Sequence, residues 1–413
     1  MSNTYTINRL GHQGDGVAEG PVFAPRTLPG EVVSGVLNGN HLGEIRIETP
    51  SADRVAPPCR HFKSCGGCQL QHASDAFVSD WKQQIVVSAL SAQGIQTETR
   101  PIVTSPPQSR RRATISARRT KKGALAGFHG RASDVITEIP DCQLLDPRLL
   151  SGLPVVQALA ILGASRKAEL SVTLTISTEG LDVAVTGGKL LDGPLRMTLA
   201  QSTEQHHLAR LSWDGEVIAM SKPPVQPFGA AQVVQPPGAF LQATPQGEAA
   251  LLAAVEEICA GADRVVDLFA GCGTFSLPLA RNAEVLAVEG DAEMTQALDQ
   301  GWRKARGLKR VTTETRDLFR RPLMPDELAK FDVAVLDPPR AGAEAQVAEI
   351  LDAGLPKIAY VSCNPISFAR DAKLLVQQGY DLQWIQVVDQ FRWSTHIELV
   401  ASFVRSDAAR KSG

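Results

Sequence analysis

One cysteine stands where a hydrophobic run gives way to a turn. In the segment KIAYVSCNPISF the apolar run ends at Val361, Cys363 is followed by Asn364 and Pro365, and a helical pattern then begins. This spacing places the thiol at the carboxyl end of a predicted strand. A thiol in that position can be a small packing residue, a metal ligand or a nucleophile, and the rest of the sequence has to distinguish the three roles.

Carboxylates follow four successive predicted strands in the same part of the chain. After the first strand, Gly271 and Gly273 in DLFAGCGTF let the backbone approach a ligand and open the next helix. Glu289 ends the second strand, placed to accept hydrogen bonds from two ribose hydroxyls. Because no third phosphate-loop glycine follows, the pattern favours S-adenosylmethionine over a dinucleotide with its pyrophosphate. The carboxylates are Asp267, Glu289, Asp317 and Asp337.

The turn DPPR indicates which kind of atom receives the methyl group. Many amino-group methyltransferases have an aromatic residue after Asn/Asp-Pro-Pro, and here Arg340 takes that place, which favours a carbon atom. C5 of a pyrimidine becomes nucleophilic only after a group adds to C6, and a thiolate such as that of Cys363 adds at neutral pH and leaves again. Glu398, which begins the last predicted strand, is the candidate base for the C5 proton.

Four of the seven cysteines are spaced for metal ligation rather than for disulfides. Glycines in KSCGGC let the backbone fold around a bound metal, and a hairpin-like return is expected to bring the fourth cysteine back to the first three. By spacing alone, four thiolates suit either zinc or an iron–sulfur cluster. Cys259 and Cys272 are predicted to be packing residues. The four predicted ligands are Cys59, Cys65, Cys68 and Cys142.

Residues 110–122, RRRATISARRTKK, carry seven basic side chains and no acidic one. Ala113, Ile115 and Ala117 alternate with polar residues, which predicts a strand with one buried and one cationic face. In a chain of formal net charge −2, such a run favours a phosphate-binding stripe over a merely solvated face. The predicted RNA-binding residues are Arg110, Arg111, Arg112, Arg118, Arg119, Lys121 and Lys122.

Three predicted domains position these residues. Short β-like runs between glycine-rich turns predict a barrel of about five strands in residues 1–54, a module that often binds RNA. Residues 55–245 are predicted to be a β-rich domain with the cysteines and the basic strand, and regular strand–helix alternation in 246–413 predicts a doubly wound, Rossmann-like α/β domain. An amphipathic helix over 75–93 is expected to pack on that last domain. Its apolar stripe is Phe77, Trp81, Ile85, Ala89 and Leu90.

Composition and hydropathy indicate the cellular location of the chain. Hydrophobic residues make up 43% and charged residues 21%, ordinary values for a protein with sizeable cores. The start, MSNTYTINRLGHQGDG, has no apolar core like that of a signal peptide, and no stretch approaches the roughly 18 apolar residues of a membrane span. We therefore expect a cytoplasmic protein that makes no membrane contact, and the sequence indicates no obligate protein partner.

Together these motifs resemble the RNA uracil-5 methyltransferases. The resemblance is carried by DLFAGCGTFSLPLA, DPPRAG, VSCNP and THIEL, which occur in the family's order. CRHFKSCGGC with Cys142 resembles the [4Fe-4S] site of the members that act on ribosomal RNA, and GDGVAEG with LPGEVV resembles the TRAM domain, an OB-like RNA-binding barrel. The resemblance implies an S-adenosylmethionine-dependent enzyme that forms 5-methyluridine, most readily in 23S ribosomal RNA. It also implies a [4Fe-4S] cluster with a structural or RNA-binding role.

The resemblance assigns roles residue by residue. It implies Cys363 as the nucleophile, Glu398 as the base, and the four spaced cysteines as ligands of the cluster. Thr274 stands where many members have Asn, and remains a short polar group beside the methyl donor. The implied contacts to S-adenosylmethionine are Gln242, Phe269, Gly271, Gly273, Thr274, Glu289, Asp317 and Asp337.

Two segments depart from the family's pattern near the place where a flipped base would sit. Thr244 occupies a position that is usually Asn, and DQFRWSTHIE has Arg392 and Ser394 where the family has Pro and Thr. These departures leave the chemistry in place and the RNA target open. The alternatives are methylation of uridine 54 in the T-loop of tRNA and a catalytically inactive iron–sulfur protein that binds RNA.

Overall fold

A computed structural model describes residues 4–165 and 167–406; the outer ends of the first and third predicted domains lie outside the described residues. The strands are β1 (Thr4–Leu10), β2 (Gly16–Ala18), β3 (Val22–Ala24), β4 (Val32–Asn38), β5 (His41–Thr49), β6 (Glu98–Thr104), β7 (Arg112–Arg119), β8 (Ala124–His129), β9 (Ile136–Glu138), β10 (Glu169–Ser177), β11 (Gly180–Thr186), β12 (Arg210–Trp213), β13 (Glu216–Met220), β14 (Val225–Phe228), β15 (Ala231–Val234), β16 (Arg264–Leu268), β17 (Glu284–Glu289), β18 (Val311–Thr315), β19 (Val333–Leu336), β20 (Lys357–Ser362), β21 (Tyr380–Asp389) and β22 (Glu398–Arg405). The helices are α1 (Asp75–Ser91), α2 (Pro147–Leu150), α3 (Leu153–Gly163), α4 (Gly193–Gln205), α5 (Pro245–Ile258), α6 (Ser276–Leu279), α7 (Ala292–Lys304), α8 (Pro325–Leu328), α9 (Glu344–Ala353) and α10 (Pro365–Gln377).

The first five strands form a closed barrel because short strands with one apolar face alternate with tight turns. β1 pairs with both β2 and β4, so the barrel closes in the order β1-β2-β3-β5-β4. Ile7, Ala24 and Val33 are buried inside it, and Gly14 and Gly30 take positive φ in the turns. The predicted five-stranded barrel is confirmed, and its identity as a TRAM domain stays a prediction.

The central sheet has seven strands in the order β13-β12-β11-β10-β7-β8-β9. β7 is the predicted basic strand, with Ala113, Ile115 and Ala117 on its buried face. Helices α3 and α4 also belong to this part, where the pattern predicted only strands and turns. The α3 sequence LPVVQALAILG is apolar almost throughout. It therefore lacks the apolar–polar period that distinguishes a helix from a strand, and burial decides its conformation.

The eight-stranded sheet has the order β18-β17-β16-β19-β20-β22-β21-β6. Strands β16 to β20 are parallel, and the order changes direction between β16 and β19, the point where open α/β sheets bind ligands beyond the strands' carboxyl ends. β22 runs antiparallel to β20, so the start of β22 lies at the same edge as the end of β20. The predicted doubly wound α/β fold is confirmed, and its strands are β16 to β22.

Two segments that were predicted to lie in the central domain pack with the catalytic sheet instead. β6 pairs with β21, and the Arg100 guanidinium on β6 lies 3.5 Å from the centre of the Trp384 ring. The β14–β15 ribbon packs on α7, with Val233 buried between them. Local patterns do not encode this pairing between distant segments, so the predicted boundary near residue 246 does not separate two packing units. Helix α1 packs on α10 as expected.

The described part of the chain contains no helix that is both long and apolar enough to cross a membrane.

Candidate active site

Cys363 and Glu398 lie at adjacent strand ends. Cys363 directly follows β20, and Glu398 is the first residue of β22. Because Ser362 pairs with Leu399 in the antiparallel ladder, the next position along each strand brings the thiol and the carboxyl group together. Asn364 caps α10 by accepting a hydrogen bond from a backbone N–H of the first turn at 3.1 Å, and so fixes the turn that carries the thiol.

The surroundings of Cys363 favour the neutral thiol in the free protein. Burial, helped by the carboxyl groups of Glu398 and Asp337, raises the pKa of Cys363 to about 11. Arg340 acts in the opposite direction, because a nearby cation stabilises the thiolate. The sequence pointed to Arg340 only as the residue that replaces an aromatic side chain. Its proximity to the thiol is a finding of the structure.

Glu398 is buried, and burial holds the pKa of its carboxyl group well above the usual range. Asp337 raises that pKa further, while Arg340 opposes the shift. A carboxylate with a raised pKa binds a proton more strongly, which is the property that a base needs to remove a proton from carbon. The environment of Glu398 therefore suits the role predicted for it.

Hydrogen bonds fix the loop after β19 against the turn after β20. Asn364 Nδ2 donates to the carbonyl oxygen of Arg340 at 2.8 Å, and the Ser367 hydroxyl donates to the same oxygen at 3.0 Å. Asp371 is fully buried and accepts a hydrogen bond from the Tyr360 hydroxyl at 2.6 Å and another from the loop's backbone at 2.8 Å. The loop that carries Arg340 is consequently held beside the thiol by several independent contacts.

Three of the carboxyl groups at strand ends surround the crevice at the switch point. Glu289 accepts hydrogen bonds from the backbone N–H of Gly271 at 2.9 Å and of Gly290 at 2.7 Å. Asp267 is fully buried, its Oδ1 has no hydrogen-bond partner within the described part of the chain, and burial raises its pKa to about 7. Burial also raises the pKa of Asp337 to about 7. An unpaired buried carboxyl oxygen fits a cationic ligand, and S-adenosylmethionine carries ammonium and sulfonium groups.

An aromatic pair lies beside the same crevice. The ring of Phe269 is 5.4 Å from that of Phe319, and Phe269 takes a positive φ of 66°, which is unusual for an aromatic residue. Asp317 accepts a hydrogen bond from the backbone N–H of Phe319 at 3.0 Å and so orients this loop. Gly273 also takes a positive φ, and Thr274 follows it half-buried. Phe319 was missed from the sequence, where its only signal is an aromatic residue shortly after Asp317.

The residues that depart from the family's pattern have structural partners in this chain. Gln242 Oε1 accepts a hydrogen bond from Gln390 Nε2 at 2.6 Å, which ties it to the segment before β22. Thr244 caps α5, with its hydroxyl accepting a backbone N–H at 3.0 Å. Arg392 forms an ion pair with Asp75 at the start of α1, and the Ser394 hydroxyl accepts the backbone N–H of His396 at 3.1 Å. The three replacements therefore stabilise the shell around the site.

The four predicted cysteine ligands line one small cavity. Burial raises the pKa of Cys68 to about 12 and also raises that of Cys65 and Cys142, and the other thiolates in the group raise each of these values further. Thiols in this environment give up their protons to a strongly cationic centre. Across residues 4–165 and 167–406, no group of three or more His, Cys, Asp or Glu side chains has an arrangement that could hold a metal ion. The cysteines that line the cavity are Cys59, Cys65, Cys68 and Cys142.

The predicted cationic stripe is interrupted at Arg111. Arg111 is buried, donates to the carbonyl oxygen of Gln242 at 3.1 Å and pairs with Glu248. Arg110 and Arg112 are half-buried, burial lowers the pKa of both, and the Arg112 guanidinium donates to a backbone carbonyl at 2.9 Å. Arg111 lies at the junction with the catalytic domain, and an RNA-binding role for the other six residues stays a prediction. The other four predicted residues are partly or fully exposed: Arg118, Arg119, Lys121 and Lys122.

A cleft of about 980 Å³ opens onto Cys363. The segment before β22 contributes Thr395 and His396 to its wall, and α1, the start of α10 and the edge of the barrel complete it. Burial lowers the pKa of His396, and Arg340 lowers it further, so a neutral imidazole borders the cleft. His396 belongs to the THIEL motif but was not predicted as a site residue. The cleft is large enough to admit an extruded base beside the thiol.

Known proteins resemble the chain over nearly its whole length. A family model described as tRNA (Uracil-5-)-methyltransferase matches residues 302–405. Uncharacterized RNA methyltransferases of Rhizobium meliloti and Caulobacter vibrioides are 44% and 43% identical to it, each over 97% of this chain and 99% of its own length. The 23S rRNA (uracil(1939)-C(5))-methyltransferase RlmD of Shewanella baltica is 34% identical over 96% of this chain and 94% of its own length.

One solved structure shares the whole fold. It is the tRNA (uracil-54, C5)-methyltransferase of Pyrococcus abyssi in complex with S-adenosyl-L-homocysteine. The TM-score is 0.75 at 21% sequence identity, and the match covers 97% of this chain and 99% of that one. At this identity the similarity concerns the architecture, from the barrel to the last strand.

Proposed function

Because the chain belongs to the RNA uracil-5 methyltransferase family, we propose that it transfers a methyl group from S-adenosylmethionine to C5 of a uridine in 23S ribosomal RNA. The observation that carries this proposal is the position of Cys363, which lines the cleft, opposite the buried Glu398 on the neighbouring strand. A thiol and a buried carboxyl group on adjacent strand ends supply the nucleophile and the base that C5 methylation requires.

The proposed reaction uses Cys363 to activate the base. The thiol first gives its proton to solvent, the thiolate adds to C6 of the extruded uracil, and the resulting enolate places electron density on C5. C5 bonds to the donor's methyl carbon as that carbon separates from the sulfonium sulfur, which leaves S-adenosylhomocysteine. Glu398 then takes the C5 proton, the C5–C6 double bond re-forms, and the thiolate leaves. Arg340 stabilises the thiolate before it adds to C6 and after it leaves, because it is the cation that lowers the pKa of Cys363.

We assign the crevice at the switch point to the methyl donor. Asp267 and Asp337 suit its cationic groups because Asp267 is fully buried, Asp337 is half-buried, and Asp267 has an oxygen without a partner in the described part of the chain. Glu289 suits the ribose hydroxyls, since backbone donors already fix its carboxylate at the strand end. The Phe269 and Phe319 rings suit the adenine. Gln242, Gly271, Gly273, Thr274 and Asp317 complete the proposed donor site.

Ribosomal RNA is favoured as the substrate by similarity over the full length. The Shewanella enzyme named for a 23S uridine shares 34% of residues across nearly the whole chain, whereas the Pyrococcus tRNA enzyme shares 21%. The four-cysteine cavity weighs in the same direction, through the resemblance to the ribosomal RNA members. Uridine 54 of tRNA is the alternative substrate, and the same assay tests it.

We propose that the four cysteines bind a [4Fe-4S] cluster with a structural or RNA-binding role. The support for a shared site is that all four cysteines line one cavity. Four thiolates suit either zinc or an iron–sulfur cluster, and the resemblance to the ribosomal RNA members favours the cluster. The methyl transfer itself requires no electron carrier.

Labelled S-adenosylmethionine and unmodified RNA test the proposed function. The wild-type protein should incorporate label into 23S ribosomal RNA at one or more uridines and form 5-methyluridine. Transfer of label to tRNA alone would move the assignment to the alternative substrate. RNA binding without any methyl transfer would instead indicate a catalytically inactive iron–sulfur protein that binds RNA.

Two variants separate the roles of the catalytic pair. Cys363→Ala should abolish turnover and any covalent adduct with RNA that contains 5-fluorouracil, and an adduct in this variant would exclude Cys363 as the nucleophile. Glu398→Gln should transfer the methyl group and then stall, so that covalent protein–RNA complex accumulates. Normal turnover by Glu398→Gln would exclude it as the base.

A further inference from the structure

Helix α1 carries two apolar stripes, and only one of them is fully packed. Val78, Val86 and Leu90 are buried together with Lys82 on the face that meets the catalytic domain and its loops. The second stripe lies one residue earlier at each turn and, with Leu90, is the stripe that the sequence predicted. In the structure it is half-buried: one side packs against the neighbouring hydrophobic clusters, and the other lines the cleft. This cleft-facing stripe consists of Phe77, Trp81, Ile85 and Ala89.

The cleft that this stripe lines also reaches the nucleophile. Exposed Arg9 and His12 border it on the barrel side, and Cys363 and His396 lie at its catalytic end. Its volume of about 980 Å³ is near the upper end of the range for sites that hold whole drug-sized ligands. The space is therefore larger than one uracil ring requires, and it continues from the target position along α1.

We propose that the cleft-facing stripe binds an unpaired nucleotide that adjoins the target uridine, with its base stacked on Trp81. This proposal rests on the proposed function. Extrusion of the target base breaks its stacking with both neighbours, and RNA-binding proteins compensate by stacking splayed bases on aromatic side chains. Trp81 and Phe77 offer two such surfaces one helical turn apart. An apolar wall suits the faces of a base, whose polar atoms lie on its edge.

The charges around the cleft fit the same occupant. Arg9 on the barrel and Arg340 beside the thiol both line the cleft, where phosphates of a splayed nucleotide can pair with them. Asp80 lies exposed on the α1 side and disfavours phosphate there, so we expect the RNA backbone to follow the barrel side. Continuity with Cys363 favours substrate RNA over a second copy of the chain, because only the substrate has to reach the thiol.

Equilibrium binding to RNA tests the stacking site without the covalent step. The protein carries Cys363→Ala, and the probe is a fluorescently labelled 23S ribosomal RNA stem-loop with the target uridine in its unpaired loop. Trp81→Ala should weaken binding about 5- to 150-fold, the range observed when a base loses its aromatic stacking partner. Trp81→Phe should retain most of the affinity. Met197→Ala changes an exposed apolar residue on α4, outside the cleft, and should bind like the parent.

Abasic substitutions in the RNA distinguish lost stacking from a general loss of structure. Each nucleotide beside the target is replaced in turn by an abasic residue. Replacing the nucleotide whose base stacks on Trp81 should lower the RNA's affinity for the parent protein. The same replacement should have little further effect on its affinity for Trp81→Ala. If each abasic replacement lowered the RNA affinity of both proteins equally, the proposal would be overturned. Trp81→Ala that binds RNA with the affinity of the parent would overturn it as well. The same holds if this variant changes only the self-association of the protein.

The binding assay and the methylation assay test the two proposals independently. If the protein with an intact Cys363 transfers no methyl group while the abasic effect still depends on Trp81, the proposed function is wrong and the stacking site stands. If methylation proceeds and the abasic effect is independent of Trp81, the proposed function stands and the stacking site is wrong.

Discussion

Lys82 and Asp389 form a buried ion pair between α1 and the segment that leads to Glu398. Their side chains are 0% and 2% exposed, and Lys82 Nζ donates to Asp389 Oδ1 at 2.7 Å and to the carbonyl oxygen of Phe391 at 3.1 Å. Asp389 also accepts the backbone N–H of Phe391 at 3.0 Å. The informative perturbation is Lys82→Met, which keeps an unbranched side chain of similar helix propensity and removes the ammonium group.

The expected magnitude follows from the charge that the substitution leaves behind. In Lys82→Met, the Asp389 carboxylate stays buried with one remaining donor, and breaking a buried ion pair costs about 3–5 kcal/mol. That is a large part of the about 5–15 kcal/mol by which an ordinary domain is stable. The double variant Lys82→Met/Asp389→Leu leaves neither charge buried. The double variant should therefore lower the free energy of unfolding by less than the single change does.

Urea denaturation followed by circular dichroism measures the free energy of unfolding, and single-turnover methylation measures the effect on the site. We expect the methylation rate of Lys82→Met to fall while its affinity for S-adenosylmethionine changes little, because the pair fixes the segment before Glu398 rather than the donor crevice. Lys304→Met, the same change at an exposed position on α7, is the matched control and should stay within about 0.5 kcal/mol of the parent. The reasoning is refuted if Lys82→Met unfolds within about 1 kcal/mol of the parent and methylates at the parental rate.

Three further expectations concern the site's charged groups. Alkylation of Cys363 by iodoacetamide should accelerate as pH rises towards its pKa of about 11, and Glu398→Gln should move this profile to lower pH; an unmoved profile would contradict their electrostatic contact. Binding of S-adenosylmethionine should tighten as pH rises through about 7, because a cationic ligand prefers ionised Asp267, and calorimetry of Asp267→Asn should show a weaker pH dependence. Anaerobically purified protein should contain about four irons per chain and lose them in Cys68→Ser, whereas about one zinc would contradict the cluster.

The catalytic fold was predictable because its strands are short, buried runs of Val, Ile and Leu bounded by polar turns. Cys363 and Glu398 were found because each stands at the boundary of such a run. The sequence does not show why the end of one strand should meet the start of another. That depends on β22 running antiparallel to β20, a pairing that the structure supplies.

The errors come from contacts between distant segments. Arg111 looked like part of a phosphate-binding surface because its neighbours in sequence are basic, but Glu248, 137 residues away, pairs with it in the interior. β6 looked like part of the central domain and instead extends the catalytic sheet beside β21. Phe319 and Arg340 became site candidates only when folding placed them beside Phe269 and Cys363.

The orientation of α1 shows what the buried ion pair contributes beyond stability. Its two stripes are offset by one residue, or about 100° around the helix. By hydrophobicity, the face with Phe77 and Trp81 is the better one to bury, and the observed buried face contains Lys82. In that orientation Asp389 and the carbonyl oxygen of Phe391 receive the ammonium group. We therefore expect the ion pair to favour the rotation of α1 that leaves Trp81 facing the cleft, a specificity role that buried polar groups have in some proteins. In the double variant Lys82→Met/Asp389→Leu, this selection is gone, so RNA affinity should fall even where the free energy of unfolding recovers. A double variant that is stable and binds the stem-loop like the parent would show that packing alone orients the helix.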